Sequence, residues 1–190
     1  LFLGVELSSD LRQKLADLQN QVRGTLPMVN WVRSDSIHLT LKFLGNVESG
    51  MVEQVVTAIE PIRKRQPPFP LEIHGLGVFP HIRRPRILWI GCTGDVPALL
   101  NLVIRIENAL EPLGFSPEKK PYSPHLTLAR IKRDNSMVGR VLSQSGLLEQ
   151  PQNLGSVLID RITLFRSDLS PFGAEYTSLG TVTLNEGGSY

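Results

Sequence analysis

The chain has 190 residues, 41% of them hydrophobic, so it can bury one continuous core but is too short for two large domains. Its formal net charge of +2 does not by itself identify a nucleic-acid-binding protein. A single cysteine, Cys92, excludes an internal disulfide, and the apolar N-terminal stretch is far shorter than the roughly 20 residues of a membrane span. We therefore expect one domain over residues 1–190, monomeric and cytoplasmic.

Apolar periodicity predicts the elements of the first half in chain order. Residues 1–7 read as a buried strand, and Ser8–Asp10 supply N-cap chemistry for a following helix. Alternation then predicts strands at Asn30–Val32 and Ser36–Gly45, and Ser49 opens a second helix.

The second half repeats this order at a constant offset. The tetrapeptide His-Leu-Thr-Leu begins at His38 and again at His125, a separation of 87 residues, and the same shift carries Gly4 onto Gly91. The repeat therefore predicts two strands and two helices, namely strand Ile87–Cys92, helix Val96–Leu113, strand His125–Ile131 and helix Ser136–Leu148.

Two further apolar runs, Pro70–Phe79 and Ser156–Phe165, complete the halves, each as a strand leading into another. The repeat predicts an α+β fold with two interleaved, pseudo-symmetric lobes, each a small, mainly antiparallel sheet backed by two helices. The equivalent strands that carry His38 and His125 should line one central cleft.

Alternation along a strand assigns one open and one apolar face to each repeated motif. Residues two apart point the same way, so His38 and Thr40 share the open face, as do His125 and Thr127. The opposite face of the first motif is apolar, with Leu39, Leu41 and Phe43.

Two imidazoles in one cleft suit the opening of a cyclic phosphodiester. That reaction needs a base to take a proton from water and an acid to protonate the leaving sugar oxygen. Imidazole, with an unperturbed pKa of about 6.5, can serve either role near neutral pH. The hydroxyls of Thr40 and Thr127 would bind phosphoryl oxygens or hold the imidazoles in the required tautomer.

Competing interpretations of the histidines are weaker. A single His-x-Thr on a strand is most often structural, but burying two equivalent imidazoles costs desolvation free energy unless each is partnered. The motifs offer two nitrogens, whereas catalytic zinc usually takes three protein ligands. The sequence has neither a Gly-x-Ser-x-Gly elbow nor a Walker-type loop. We expect no metal and no cofactor.

Basic segments are candidate phosphate contacts, although charge runs are more often solvated faces. They are Arg63–Arg65, Arg83–Arg86 and Lys119–Lys120. Arg130 follows the second motif, but strict alternation turns it away from the His125 face, so a phosphate contact there requires a twist or a bulge.

The remaining aromatic, histidine and cysteine residues are expected to be mainly structural. Trp31, Phe79 and Tyr122 would stack on a base or pack in the core. His74 and His81 lie outside the repeat as surface or loop residues, and Cys92 packs as a small buried hydrophobe.

The segments Ile37–Gly45 and Ser123–Arg130 resemble the paired motifs of the 2H phosphoesterase superfamily. They look closest to its bacterial and archaeal RNA 2',3'-cyclic phosphodiesterase branch, the LigT or 2'-5' RNA ligase type. The resemblance covers nearly the whole chain and extends to Phe2–Leu7, Gly75–Pro80, Arg86–Trp89 and Gly114–Phe115.

The resemblance implies hydrolysis of RNA ending in a 2',3'-cyclic phosphate to a 2'-phosphate, without metal, with 2'-5' ligation as a secondary reverse reaction. It makes His38 the proton donor and His125 the proton acceptor, a choice that pseudo-symmetry alone does not permit. Two alternatives stay open: a 2H phosphoesterase acting on a small cyclic nucleotide or an ADP-ribose cyclic phosphate, and a non-catalytic nucleotide- or RNA-binding module.

Overall fold

A computed structural model describes residues 1–170 and 173–185. In that part of the chain, nine strands form two antiparallel sheets and four α-helices cover them. The strands are β1 (Phe2–Val5), β2 (Asn30–Trp31), β3 (Leu39–Phe43), β4 (Phe69–Phe79), β5 (Ile87–Gly94), β6 (His125–Arg130), β7 (Asn153–Ile159), β8 (Arg161–Ser170) and β9 (Gly173–Thr183). The helices are α1 (Ser9–Arg23), α2 (Val52–Ile59), α3 (Val96–Leu110) and α4 (Asn135–Ser145).

The first sheet has the strand order β3-β1-β8-β9 and the second has β2-β6-β5-β4-β7. β1 and β5, which are related by the repeat, each lie beside the strand of a histidine motif. The predicted α+β class and its two lobes are therefore confirmed. The Ser156–Phe165 run is divided between β7 and β8, and β9 was not predicted.

The 87-residue offset extends to the caps of the two long helices. Both ends of α1 match both ends of α3 under that shift. The Ser8 hydroxyl accepts from the Leu11 amide at 3.2 Å, and the Asp95 carboxylate accepts from the Ala98 amide at 3.1 Å. Such a cap stabilises a helix by about 1 kcal/mol, so the repeat preserves the signal that starts each helix.

The two long helices, α1 and α3, each pack on the sheet that carries the histidine motif of the other half of the chain. α1 packs on β7 of the second sheet, and its Gln19 amide donates to the Leu128 carbonyl of β6 at 2.9 Å. α3 packs with α2 against β3 of the first sheet, and α4 packs against the connection from β4 to β5. The buried apolar side chains of both halves therefore form one cluster.

A buried ion pair fastens the first sheet to α3. The Lys42 ammonium on β3 contacts the Glu107 carboxylate on α3 and donates to the Ser116 carbonyl at 3.0 Å. Lys42 is 3% exposed, so its charge depends on these partners. Because β3 also carries the first motif, this pair connects the site's first strand to the second half of the chain.

The structure shortens several predicted elements by a few residues. A 3₁₀ turn at Ser34–Ser36 delays the strand of the first motif, which begins at Leu39. The last turn of the predicted helix over residues 96–113 is likewise 3₁₀ in character. Among the described residues, no helix is long and apolar enough to cross a membrane.

Candidate active site

A bulge in β3 changes which residues of the first motif face the cleft. Consecutive residues of β1 pair with Thr40 and Lys42, so Leu41 between them is an extra residue. The bulge reverses the alternation that follows it, because one residue is added to one strand only. Lys42 is consequently buried, and Phe43 is 63% exposed. The prediction that Phe43 lies on the apolar back face is therefore wrong.

The same bulge occurs in β6 at Leu128, the equivalent position. Consecutive residues of β5 pair with Thr127 and Ala129, and Leu128 and Ala129 are both buried. Arg130 is exposed and follows on the side of Thr127. The bulge supplies the irregularity that Arg130 needs to reach the cleft. Arg130 and Phe43 thus occupy equivalent positions in the two motifs.

Each imidazole is anchored by a backbone carbonyl two residues before it. His38 Nδ1 lies 3.1 Å from the Ser36 carbonyl, and His125 Nδ1 lies 2.7 Å from the Ser123 carbonyl. A carbonyl oxygen only accepts, so Nδ1 carries the hydrogen in both rings. Among the described residues neither Nε2 has a hydrogen-bond partner, which leaves this atom for a ligand.

Aromatic rings of the first sheet hold the His38 ring. Phe2 stacks on it with a centroid separation of 4.4 Å, and Tyr176 meets it edge-on at 4.9 Å. Phe165 stacks on Phe2 at 5.0 Å and lies 6.2 Å from the His38 ring. Packing on two sides fixes the plane of the imidazole and removes most of its contact with water.

His125 has a more open aromatic surround. Phe79 meets it edge-on at 5.0 Å, and the Trp89 ring lies 6.4 Å away at an angle. Trp89 reaches across β4 because Gly77 has no side chain, and a Cβ there would lie 2.2 Å from the indole ring. The sequence allowed Phe79 either to stack on a base or to pack in the core. The structure places its ring against His125.

The two histidine strands lie beside each other although they belong to different sheets. β3 and β6 are in contact, and the Tyr122 hydroxyl donates to the Thr40 carbonyl at 2.7 Å. Burial raises the pKa of Tyr122, which keeps this hydroxyl a donor. The structure therefore brings His38, His125 and Arg130 to one cleft, with Tyr122 as a link between the strands.

The environment of His38 disfavours its charged form. The pKa of His38 is lowered to about 4, chiefly by burial; the hydrogen bond to the Ser36 carbonyl opposes this shift, and the positive charge of Arg130 contributes to it. Desolvation disfavours the charged imidazolium, so the shift is downward for a histidine. His38 is consequently neutral at pH 7 in the empty cleft.

We expect an NMR titration of the histidine rings to show His38 changing protonation near pH 4. Arg130→Gln should raise the pKa of His38, because a positive charge facing the imidazolium is removed. Arg133→Gln, an exposed change in the next loop, is the control and should leave the midpoint unchanged. A His38 midpoint at the ordinary value of about 6.5 would contradict the burial argument.

The two threonines of the motifs are half-buried on the cleft side. Neither hydroxyl has a hydrogen-bond partner within residues 1–170 and 173–185. Because backbone carbonyls already fix the imidazole tautomers, the hydroxyls of Thr40 and Thr127 are not needed for that purpose. In the same residues, no group of three or more His, Cys, Asp or Glu side chains is placed to hold a metal ion.

Other candidates lie outside the cleft. Trp31 on β2 packs under the guanidinium of Arg23, 5.5 Å from its ring centroid. His74 is exposed on β4. Cys92 is half-buried, less than predicted, and burial raises the pKa of its thiol to about 12.

Tyr176 is the residue of the site that the sequence prediction missed. It lies on β9, which comes from the C-terminal part of the chain and joins the first sheet through β8. Its signal was present, since Ala174 and Tyr176 alternate with the polar residues Glu175 and Thr177 ahead of the β-branched run Thr181–Thr183. Only the fold brings Tyr176 against His38.

Two small sheets that share one cleft, each with a histidine motif, define a phosphoesterase of the two-histidine superfamily. The family model described as LigT like Phosphoesterase matches residues 5–89 and again residues 90–174. The chain belongs to this LigT-like phosphoesterase family, and the two consecutive matches agree with the internal repeat.

Similar proteins agree with this assignment. An RNA 2',3'-cyclic phosphodiesterase of Aeropyrum pernix is 34% identical, over 87% of this chain and 92% of its own length. One from Aquifex aeolicus is 30% identical, over 93% and 92%. The crystal structure of TT0787 of Thermus thermophilus has a TM-score of 0.80 at 26% identity and covers 97% of each chain. That of E. coli LigT complexed with 3'-AMP shares the fold with a TM-score of 0.78 at 23% identity, also over 97% of each.

Proposed function

We propose that the protein hydrolyses the 2',3'-cyclic phosphodiester at an RNA end to a 2'-phosphomonoester, with His38 and His125 as the acid and base. The observation that carries the proposal is the matched pair of imidazoles, each held at Nδ1 by a carbonyl and, within residues 1–170 and 173–185, without a hydrogen-bond partner at Nε2. The names of the relatives from Aeropyrum pernix and Aquifex aeolicus support the RNA substrate.

The same anchoring serves both catalytic roles. Nδ1 donates to its carbonyl whether the ring is neutral or charged, so Nε2 is a lone-pair base in one state and an N–H acid in the other. His125 takes a proton from water as the water oxygen bonds to phosphorus. The bond from phosphorus to the 3'-oxygen then breaks, and that oxygen receives its proton from His38.

The low pKa of His38 sets a condition on its role as proton donor. In the empty cleft the ring is neutral, whereas the donor must be charged when the 3'-oxygen leaves. A bound phosphodiester places negative charge beside Nε2, which favours the imidazolium. We infer that His38 gains its proton together with the substrate, which limits the protonated state to the occupied site.

The residues around the histidines suit a nucleotide. In this proposal, the hydroxyls of Thr40 and Thr127 and the guanidinium of Arg130 bind phosphoryl oxygens as they gain charge. The exposed Phe43 ring offers an apolar face on which a nucleobase can stack. This combination favours a nucleoside cyclic phosphate over a simple phosphodiester.

The test is product analysis after incubation with EDTA and an oligoribonucleotide that ends in a 2',3'-cyclic phosphate. We expect a 2'-phosphate, with the rate unchanged by EDTA because histidines perform both proton transfers. Loss of turnover in EDTA with recovery in Zn²⁺ would contradict the mechanism. Turnover of cyclic mononucleotides alone would identify a small-molecule phosphoesterase, and tight binding without product would identify a binding module.

A further inference from the structure

A second cavity opens beside the active site, on the far side of Phe79. It has a volume of about 650 Å³ and lies between the connection from β4 to β5 and the start of α4. Phe79 belongs to both places, since its ring lines the cavity and also meets the His125 imidazole at 5.0 Å. Ile87, another lining residue, pairs with Arg130 of the catalytic cleft. The cavity therefore adjoins the reaction centre.

The walls of the cavity are fixed by contacts between backbone segments. The side-chain amide of Asn135 donates to the Pro85 carbonyl at 2.6 Å, and the backbone amide of Arg86 donates to the Phe79 carbonyl at 2.6 Å. Gly139 brings α4 so close that a Cβ there would lie 2.1 Å from the Ile82 carbonyl oxygen. A site with such walls is formed before a ligand arrives.

The cavity is basic in a chain that is nearly neutral. Its lining includes Arg84, Arg86 and His81, with Asp134 as the acidic residue. The two connections that border it, residues 80–86 and 131–134, hold five of the chain's 20 Lys and Arg residues. Within the described residues, neither Arg84 nor Arg86 forms an ion pair. Both guanidinium groups are therefore available to an anion.

We propose that this cavity binds the phosphodiester that precedes the terminal nucleotide of the RNA, with Arg84 and Arg86 as its ligands. The inference rests on the proposed function, because it assumes that the cyclic phosphate lies between His38 and His125. The next phosphate along an RNA chain must leave the cleft, and this cavity is a basic, preformed space that shares a wall with it.

The experiment compares adenosine 2',3'-cyclic phosphate with the dinucleotide that has the same adenosine end and one additional phosphodiester. It uses the wild type, the double variant Arg84→Gln/Arg86→Gln and the matched control Lys64→Gln/Arg65→Gln. The control removes the same charge from the exposed Lys64 and Arg65, at the end of a 3₁₀ turn that packs on α3 and β9. Although the sequence made this segment a candidate phosphate contact, neither residue is among the described residues that line the cavity. The double variant should lose roughly tenfold in kcat/KM on the dinucleotide only, the usual effect of a lost charged hydrogen bond. Its salt dependence on the dinucleotide should also become shallower, because fewer counterions are released.

Binding of the 2'-phosphate products, the mononucleotide and the dinucleotide, separates this inference from the proposed function, because it needs no turnover. The wild type should bind the dinucleotide more tightly, and the double variant should lose that advantage. Equal losses for both ligands, or no loss for either, would overturn the cavity assignment. A wild type that turns over neither substrate yet retains the dinucleotide advantage would overturn the proposed function and leave this subsite supported.

Discussion

Replacing His38 or His125 with alanine should lower kcat/KM on a cyclic-phosphate RNA end by at least about 10²-fold, the lower limit for loss of a general acid or base. In the proposed mechanism each ring performs one of the two proton transfers, and no other described titratable side chain is anchored in the same way. His38→Asn should lose as much, although its amide can still donate to the Ser36 carbonyl, because it cannot exchange a proton at the position of Nε2. Initial rates over a range of substrate concentrations measure the effect.

His74→Ala is the control for the histidine substitutions, since His74 is exposed on β4. It should keep wild-type kcat/KM. Circular dichroism and thermal unfolding of each variant establish that the loss is not one of folding, which matters most for His38 because Phe2 and Tyr176 pack on it. A folded His125→Ala variant with more than about a tenth of the wild-type rate would exclude its proposed role.

Lys42→Ala should lower the free energy of unfolding by about 3–5 kcal/mol, because it leaves the Glu107 carboxylate without its partner inside the protein. That is a large part of the roughly 5–15 kcal/mol that typically stabilises a domain. Urea denaturation measures it directly. The double variant Lys42→Met/Glu107→Leu should recover part of the loss, because it removes the unpaired charge but also removes the side-chain partners of the Ser116 carbonyl and the Glu118 amide.

Lys14→Ala breaks an exposed ion pair and is the control for the buried pair of Lys42 and Glu107. Lys14 bonds to Asp10 on the surface of α1, with 47% of its side chain exposed, and its loss should change stability by less than about 1 kcal/mol. Equal effects of Lys14→Ala and Lys42→Ala would show that burial does not determine the contribution of the inner pair.

Much of the architecture could be predicted because the repeat preserves local signals. The caps of α1 and α3 depend on side chains within three residues of each helix start, and the stripe of apolar residues on each helix is also local. The histidine faces followed from alternation, since His38 and His125 precede the irregular part of each strand. These features depend on short-range geometry, which a sequence contains.

The features that were missed depend on pairing between distant segments. The bulges at Leu41 and Leu128 arise because each strand has one residue more than its partner segment, so Lys42 and Phe43 exchanged their predicted faces. The asymmetry between the histidines arises from the burial of His38 beside Tyr176, contributed by a strand near the opposite end of the chain. Neither the bulged strand pairing nor the contact between Tyr176 and His38 is indicated by residues close to it in the sequence.

The position of β1 between β3 and β8 has a consequence for the order of folding. Phe2 pairs with Phe165, so the first sheet cannot close around β1 until the much later strand β8 has been made. Contacts this distant in sequence slow folding, because loop-closure entropy is lost before they form. A growing chain that has not yet reached β8 therefore exposes an unpaired edge of β1 beside the strand of the first histidine motif.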